Sequence, residues 1–413
     1  MPFLAGITGY VINWTGVWML YRPIEFVGIH VPGLKRLATH LPRKIREIPG
    51  VMRGGIGWQG IIPTRAGKMG TIAVDKQIAS VGSPAEFYEK FGPDEISEHI
   101  LRTSEPAVRD LIERVLEREN PELWRDLPPR VRETLHARVR EEMPGVVDEV
   151  TEAIGDNIDD LLDVQVMVSR RLEERRELTN KLFHEVGAKE FRFIIRFGFV
   201  FAFFASLPVI PLLLVLPHWW VLPLAEGFIG YLTNWFGILL IYEPEEPRKI
   251  GPFTFQGLFA KRQHDAAEAY GEVISEEIIT LRNITDGLLY GPAGDRTREL
   301  IESALRPAVD RAVGAVRPAV VAAIGSDEYE SVRESLAAEA VDPTMEPLRD
   351  PDFSRRRSGV IRRLFTERMR EMEPGEFIES LRSATRQDEW ILVAHGMVFG
   401  IAGGLLHYGL FGV

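Results

Sequence analysis

An all-α, polytopic membrane protein is the fold class this sequence predicts: four transmembrane helices in two tandem repeats of the same orientation, each with a large helical cytoplasmic segment. Three observations lead there. The apolar residues of the 413-residue chain gather in four stretches, although an overall hydrophobic content of 45% is ordinary. One phrase is written twice, as GITGYVINWTGVWMLYRPIE over residues 6–25 and as GFIGYLTNWFGILLIYEPEE over residues 227–246. Basic residues cluster on one side of every apolar stretch, which is how orientation in a bilayer is set.

The repeat is strict. At a constant offset of 221, Gly6, Gly9, Tyr10, Asn13, Trp14, Gly16, Tyr21, Pro23 and Glu25 recur as Gly227, Gly230, Tyr231, Asn234, Trp235, Gly237, Tyr242, Pro244 and Glu246. The first span, residues 3–21, carries no charge over nineteen residues, close to the ~20 that cross ~30 Å of hydrocarbon. No basic run precedes it and no small-residue cleavage site follows, so it reads as a retained helix and not a signal peptide. The second span is expected at 196–216. The third, 224–242, repeats the first, with Glu226 at its outer edge in a position expected to be wet. Trp219 and Trp220, between these two, suit an interfacial belt. The fourth span is 390–410.

Arg22, Lys35, Arg36, Arg43, Lys44 and Arg46 follow the first span, and Lys189, Arg192 and Arg196 precede the second. Arg248, Lys249, Lys261 and Arg262 follow the third, and Arg382 and Arg386 precede the fourth. Both termini are therefore expected outside, with segments 22–193 and 243–389 in the cytoplasm. The repeats are then 1–222 and 223–413, related by a pseudo-two-fold along the membrane normal and not by inversion.

Within the cytoplasmic segments, Ile96, Ile100, Val108, Leu111, Ile112, Val115 and Leu116 recur at helical steps. Val131, Leu135, Val139 and Met143 form another stripe, and Leu305, Val309, Val313, Val316, Val320 and Ile324 a third. Asp94 and Ser104 are the expected N-caps, the latter followed by Pro106, while Pro307 and Pro318 start or kink segments. Short strands are expected only in the Gly- and Pro-rich stretches 23–73 and 243–260. The acidic run Asp156, Asp159, Asp160 and Asp163 lacks the spacing of a calcium loop and reads as a solvated face.

Gly6, Gly9, Asn13 and Gly16 fall within an arc of about 80° at ~100° per residue. Spans two and four carry matching small-residue stripes, Gly198-x3-Ala202-x3-Ser206 and Gly396-x3-Gly400-x3-Gly404. Small residues let membrane helices approach closely. Asn13 and Asn234 are amides in apolar spans and must find partners. Two readings stand: an interhelical hydrogen bond, for instance from Asn13 to Asn234, or a polar site for a lipid headgroup or ion. The repeat interface is expected at these asparagines with Gly9, Gly16, Gly230, Gly237, Trp14 and Trp235.

A second phrase is also paired, Trp58-Gln59-Gly60-Ile61-Ile62-Pro63-Thr64-Arg65 against Phe255-Gln256-Gly257-Leu258-Phe259-Ala260-Lys261-Arg262. Its amphipathic pattern suggests a headgroup anchor through Gln59, Arg65, Gln256 and Arg262. Residues 22–68 hold nine Lys and Arg against two acidic residues, a net of +7, and such a cluster attracts anionic lipid at ~1 kcal/mol per basic residue.

No cysteine is present, which excludes disulfides and Cys-ligated metals. A net charge of −11 argues against nucleic acid as partner. Neither a phosphate-binding loop, a nucleophile elbow, a His-Glu-x-x-His pair nor a dinucleotide glycine fingerprint occurs. No catalytic residue, cofactor or metal site can be nominated. The expected role is non-catalytic: membrane organisation or lipid handling at the cytoplasmic leaflet. Membrane lipids, anionic ones included, are the expected partners, with self-association or a membrane complex. The alternative is a channel or transporter along the small-residue seam, which the shortage of intramembrane ionisable groups weakens.

The two phrases together closely resemble those of the YheB/YjiN-like family of bacterial membrane proteins, a domain of unknown function. The closing pattern is similar too, Glu190-Phe191 ahead of Gly198 and Glu389-Trp390 ahead of Gly396, with a one-residue slip at Glu389. A further departure is Ala260 where Pro63 stands in the first copy. The resemblance implies a multi-pass protein of the bacterial plasma (inner) membrane with a helical cytoplasmic part, and no established reaction.

Overall fold

The computed structural model describes residues 1–314, 317–383 and 385–411. The chain is 83% helical with almost no sheet. Its helices of twenty residues or more are α1 (Pro2–Tyr21), α2 (Pro93–Glu119), α3 (Pro129–Leu161), α4 (Arg176–Ala205), α5 (Val221–Tyr242), α6 (Gly294–Val313), α7 (Ser326–Met345), α8 (Pro351–Glu371) and α9 (Glu389–Phe411). Two antiparallel pairs are the only sheet among the described residues: β1 (Val27–His30) with β2 (Gly55–Trp58), and β3 (Arg248–Ile250) with β4 (Phe253–Phe255). Both fall in the stretches where the turn-forming residues are dense.

Among the described residues, four helical segments are long and apolar enough to cross a membrane: Pro2–Tyr21, Arg176–Val215, Val221–Tyr242 and Arg386–Phe411. The second departs from the expected single span 196–216. Helix α4 starts some twenty residues earlier, breaks after Ala205 and resumes as Val209–Val215. Pro208 has no N–H for the helix ladder, which explains the interruption.

The chain forms two compact units, each drawn from both halves of the sequence, and all copies of the two repeated phrases lie in the first. Unit 1 comprises Met1–Gln77, Ser169–Val273 and Phe365–Val413; unit 2 comprises Ile78–Val168 and Ile274–Leu364.

In unit 1, α1 packs on α4, α5 packs on α9, and the two pairs join into a bundle. One core cluster centres on Leu20, Tyr21, Ile61, Ile62, Met69 and Ile391, another on Ala202, Val209, Leu213, Val221, Leu222 and Ile229. In unit 2, α2, α3, α6 and α7 form a ring in which each packs on two others. Ser104 is not an N-cap: α2 runs unbroken from Pro93 to Glu119, with Asp94 in its first turn and Pro106 in its interior. Pro307 likewise lies inside α6. Burial of an apolar face in the ring outweighs the single backbone hydrogen bond each proline removes. In the acidic run, Asp159 accepts from the Ala85 amide at 3.1 Å and Asp163 from the Val166 amide at 2.9 Å.

Candidate functional site

The two glycine–asparagine phrases make the same contact twice. Asn13 Nδ2 donates to the Ile194 carbonyl at 2.6 Å, and Asn234 Nδ2 donates to the Leu392 carbonyl at 2.5 Å. Gly198 and Gly396 stand four residues past these carbonyls. A Cβ on either would lie 2.6 Å from the asparagine Nδ2, so the glycine leaves the room the amide occupies. One turn before each asparagine, a Cβ on Gly9 would collide with the Gly198 carbonyl oxygen, and one on Gly230 with that of Gly396. The sequence reading of small residues as close-approach points holds for Gly9 and Gly230. Gly16 and Gly237 are different, because their nearest neighbours would stand 3.7 Å from an added Cβ, which is ordinary contact.

The expected Asn13–Asn234 bond is not made. Each amide finds a carbonyl on the facing helix of its own pair, which backbone approach at the glycines brings within hydrogen-bond reach. Trp14 and Trp235 also depart from the expected interface: both are exposed. On α1 and α5 they lie off the glycine–asparagine stripe.

The second phrase clasps the first. The Gly60 amide donates to the Pro23 carbonyl and the Gly257 amide to the Pro244 carbonyl, both at 2.8 Å. Gln59 Nε2 donates to the Ile24 carbonyl at 2.7 Å, and Gln256 Nε2 to the Glu245 carbonyl at 3.2 Å. Gln59 Oε1 accepts from Arg53 Nε at 2.9 Å. The X-Pro bonds Arg22–Pro23 and Glu243–Pro244 are both cis.

Arg65 and Arg262 are not placed as headgroup anchors. Arg65 is 7% exposed and bidentate on Asp388, with Nη2–Oδ1 at 2.9 Å and Nε–Oδ2 at 3.2 Å. Arg262 bonds Glu190 through Nη1 and Asp265 through Nη2 at 3.4 Å. Glu190 and Asp388 are themselves buried. A buried carboxylate needs a cation with matching hydrogen bonds, and that need buries Arg65 and holds the half-buried Arg262 against Glu190. The pairing is reciprocal: the arginine that closes each copy of the second phrase reaches the carboxylate eight residues ahead of Gly396 or Gly198. Asp388, and not Glu389, is thus the counterpart of Glu190, which removes the apparent slip. Glu389 instead pairs with Arg382, Nε–Oε1 at 2.8 Å, a hydrogen bond that holds the Arg382 guanidinium above its usual range.

Asn13, Asn234, Gly16, Thr179, Asp388 and their aliphatic neighbours Val17, Leu20, Ile238 and Ile241 enclose a cavity of about 110 Å³. Its polar atoms are few, and Asn13 Oδ1 and Thr179 Oγ1 are buried without a partner among the described residues. A void of this size accepts a short alkyl segment or a few waters.

One pair was not anticipated. Glu226, expected at a wet helix end, is 5% exposed, and its Oε1 lies 2.7 Å from Nδ1 of the buried His407. His395, also buried, has Nε2 3.2 Å from Thr15 Oγ1. The only sequence signal was the presence of Glu226, His395 and His407 in apolar stretches; separations of 181 and 380 residues hid their partners.

No family model, curated protein or solved structure matches the chain. The likeness to the YheB/YjiN-like family rests on the two phrases and the closing pattern of the sequence. What those phrases do here is structural: one seats asparagine amides on facing carbonyls, and the other clasps the chain where it leaves each helix. The chain is, in coarse terms, an all-α protein with four helices able to span a membrane.

Proposed function

We propose that the chain is a non-catalytic inner-membrane protein, built as two tandem modules facing the same way, that organises the bilayer or handles lipid at its cytoplasmic leaflet. Membership of the YheB/YjiN-like family belongs to this proposal. The observation that carries it is the surface that follows α1. Ile29 is 77% and Ile56 74% exposed on the β1–β2 pair, and Val27 and Leu37 are exposed as well. Lys35, Arg36, Lys44 and Arg46 are exposed in the same segment. Apolar side chains with basic neighbours, directly after a span, suit the boundary between headgroups and acyl chains. This surface takes the place of Arg65, which is buried, and of Arg262, which is half-buried and paired with Glu190. The cavity between the asparagines supports the same reading, since its walls are mainly aliphatic and aromatic and two of its polar atoms have no partner among the described residues.

The test is the lipid that stays with the full chain in nanodiscs of mixed anionic and zwitterionic composition. Replacing Lys35, Arg36, Lys44 and Arg46 by Gln is expected to lower anionic enrichment several-fold; equal enrichment counts against the reading. The Asn13→Leu/Asn234→Leu variant asks whether a lipid retained near one per chain sits at the asparagine cavity.

A second reading, conduction along the small-residue seam, gains one observation. The buried Glu226–His407 pair supplies an ionisable group inside the spans, where such groups mark ion or proton paths. Proteoliposome flux that disappears in Glu226→Gln would favour it; absence of flux in the wild-type chain removes it.

A further inference from the structure

Unit 2 encloses a larger cavity of its own. Helices α2, α3, α6 and α7, with the short helix Arg317–Ile324, line a space of about 550 Å³, inside the ~300–1,000 Å³ range of small-molecule sites. Its walls are mainly aliphatic, and Glu142, paired with Arg311, is the one carboxylate among the described lining residues. Val108, Leu135, Val139, Val309 and Leu336 line it and remain only half-buried, although each Å² of apolar surface left to water forgoes ~25 cal/mol. Each of the four helices also carries an internal proline, Pro106, Pro144, Pro307 or Pro343. These prolines disfavour the straight packing that would bring the aliphatic faces together.

Two polar groups on the wall are incompletely partnered. Ser104 Oγ is buried with no hydrogen bond among the described residues. Arg138 donates to the Val313 carbonyl at 3.2 Å and has no carboxylate partner among the described residues. Arg333, also on the wall, is already committed to Asp310 and Glu330. Tyr329 is the single aromatic among the described lining residues, so a flat ring would find little to stack on.

We propose that this cavity binds one long alkyl chain bearing an anionic head, the chemistry shared by a free fatty acid and a single-chain phospholipid. The aliphatic walls take the chain, and the Arg138 guanidinium, with the Ser104 hydroxyl as a further donor, takes the head. The site is contained in unit 2. It extends the lipid-handling reading to a second location and stands whether or not unit 1 holds lipid.

The chain has no cysteine, so Met143→Cys places the sole thiol on the cavity wall of the full-length protein in nanodiscs. Maleimide labelling is followed with oleate, with a single-chain phosphatidylglycerol and with oleyl alcohol. At least tenfold slower labelling is expected with one or both anionic amphiphiles. Protection by oleate alone identifies a fatty acid, by the phospholipid alone a lysolipid, and by both the shared chemistry. Oleyl alcohol should protect about tenfold less, and Arg138→Gln should bring oleate down to its level. Labelling unchanged by either amphiphile overturns the proposal, and equal protection by the alcohol overturns its anionic part. If Met143→Cys fails to fold, displacement of a fluorescent fatty acid by oleate is compared between the wild-type chain and Ala308→Trp, which fills the cavity. Equal binding in both overturns the proposal. The Asn13→Leu/Asn234→Leu variant should keep full protection; loss there would move the amphiphile to unit 1 and overturn this site while sparing the lipid-handling reading.

Discussion

In unit 1 a single methyl on Gly9 or Gly230 would run into a carbonyl of the facing helix, whereas in unit 2 four helices leave about 550 Å³ open among aliphatic side chains. The first kind of packing works at backbone distance: Gly removes the side chain, Asn supplies a donor, and the facing carbonyl accepts. It suits a surrounding of lipid tails, where burying apolar side chains gains little. The second relies on apolar burial from water, which tolerates loose fits and rewards an apolar occupant. The same two-copy sequence thus yields one unit that resists an added methyl at Gly9 and Gly230 and another that has room for many atoms.

The largest effect expected on this contrast comes from the buried ion pair that joins the two copies in unit 1. Asp388→Ala leaves the buried Arg65 guanidinium with only the half-buried Glu47 carboxylate, 4.0 Å away, and should cost about 3–5 kcal/mol. Denaturant titration in mild micelles measures it, and an Arg65→Met/Asp388→Leu double variant should recover most of the loss. A single variant as stable as the wild type would mean that the pair does not hold the copies together.

Glycine substitution probes the backbone contact itself. Gly9→Ala should destabilise by about 1–3 kcal/mol through the collision with Gly198 and Ala202. Gly16→Ala, with its nearest neighbour at 3.7 Å, should be neutral or gain up to ~1 kcal/mol from helix propensity. Equal responses at the two glycines would erase the distinction between close-approach and spacious positions. Unit 2 should respond with the opposite sign to added volume: Ala308→Leu grows into the cavity and is expected to stabilise by about 0.5–2 kcal/mol in the same titration. A loss there would show that the cavity walls cannot accept bulk. Asn234→Leu should cost about 0.6–1.7 kcal/mol, the range of hydrogen bonds between membrane helices.

The smallest expected effect is a pH dependence in unit 2. His99 is stacked on Phe353 with ring centroids 3.8 Å apart, and burial holds its imidazole below the ordinary value. The unfolded chain therefore takes up the proton first as pH falls. Stability should decline as pH drops from about 6.5 toward the folded-state value. His99→Gln should flatten that part of a melting-temperature profile; an unchanged slope would assign it elsewhere.

Spans, stripes and asparagines were legible in the linear sequence because each depends on local rules. An uncharged run of about twenty residues dictates a spanning helix, and a period of 3.6 puts Gly6, Gly9 and Asn13 on one face. The break at Pro208 is equally local, but the apolar run continues through it and masks it. Arg65 misled for a physical reason: a basic residue beside a span reads as a headgroup contact until a buried carboxylate is known to face it. Asp388 lies 323 residues away, and no periodicity links them.

The sequence by itself determined that this chain is helical, that four of its segments suit a membrane, and which small and amide side chains share a face. These follow from propensity, length and period, which act over a few turns. Only the tertiary structure decided that Asn13 and Asn234 bond to carbonyls and not to each other. It also decided that Arg65 and Arg262 exchange carboxylates between copies, that Glu226 meets His407, and that unit 2 keeps an open interior. Those outcomes depend on which polar groups become buried together, where an unpaired charge or donor is costly, and that is settled by helices meeting in space.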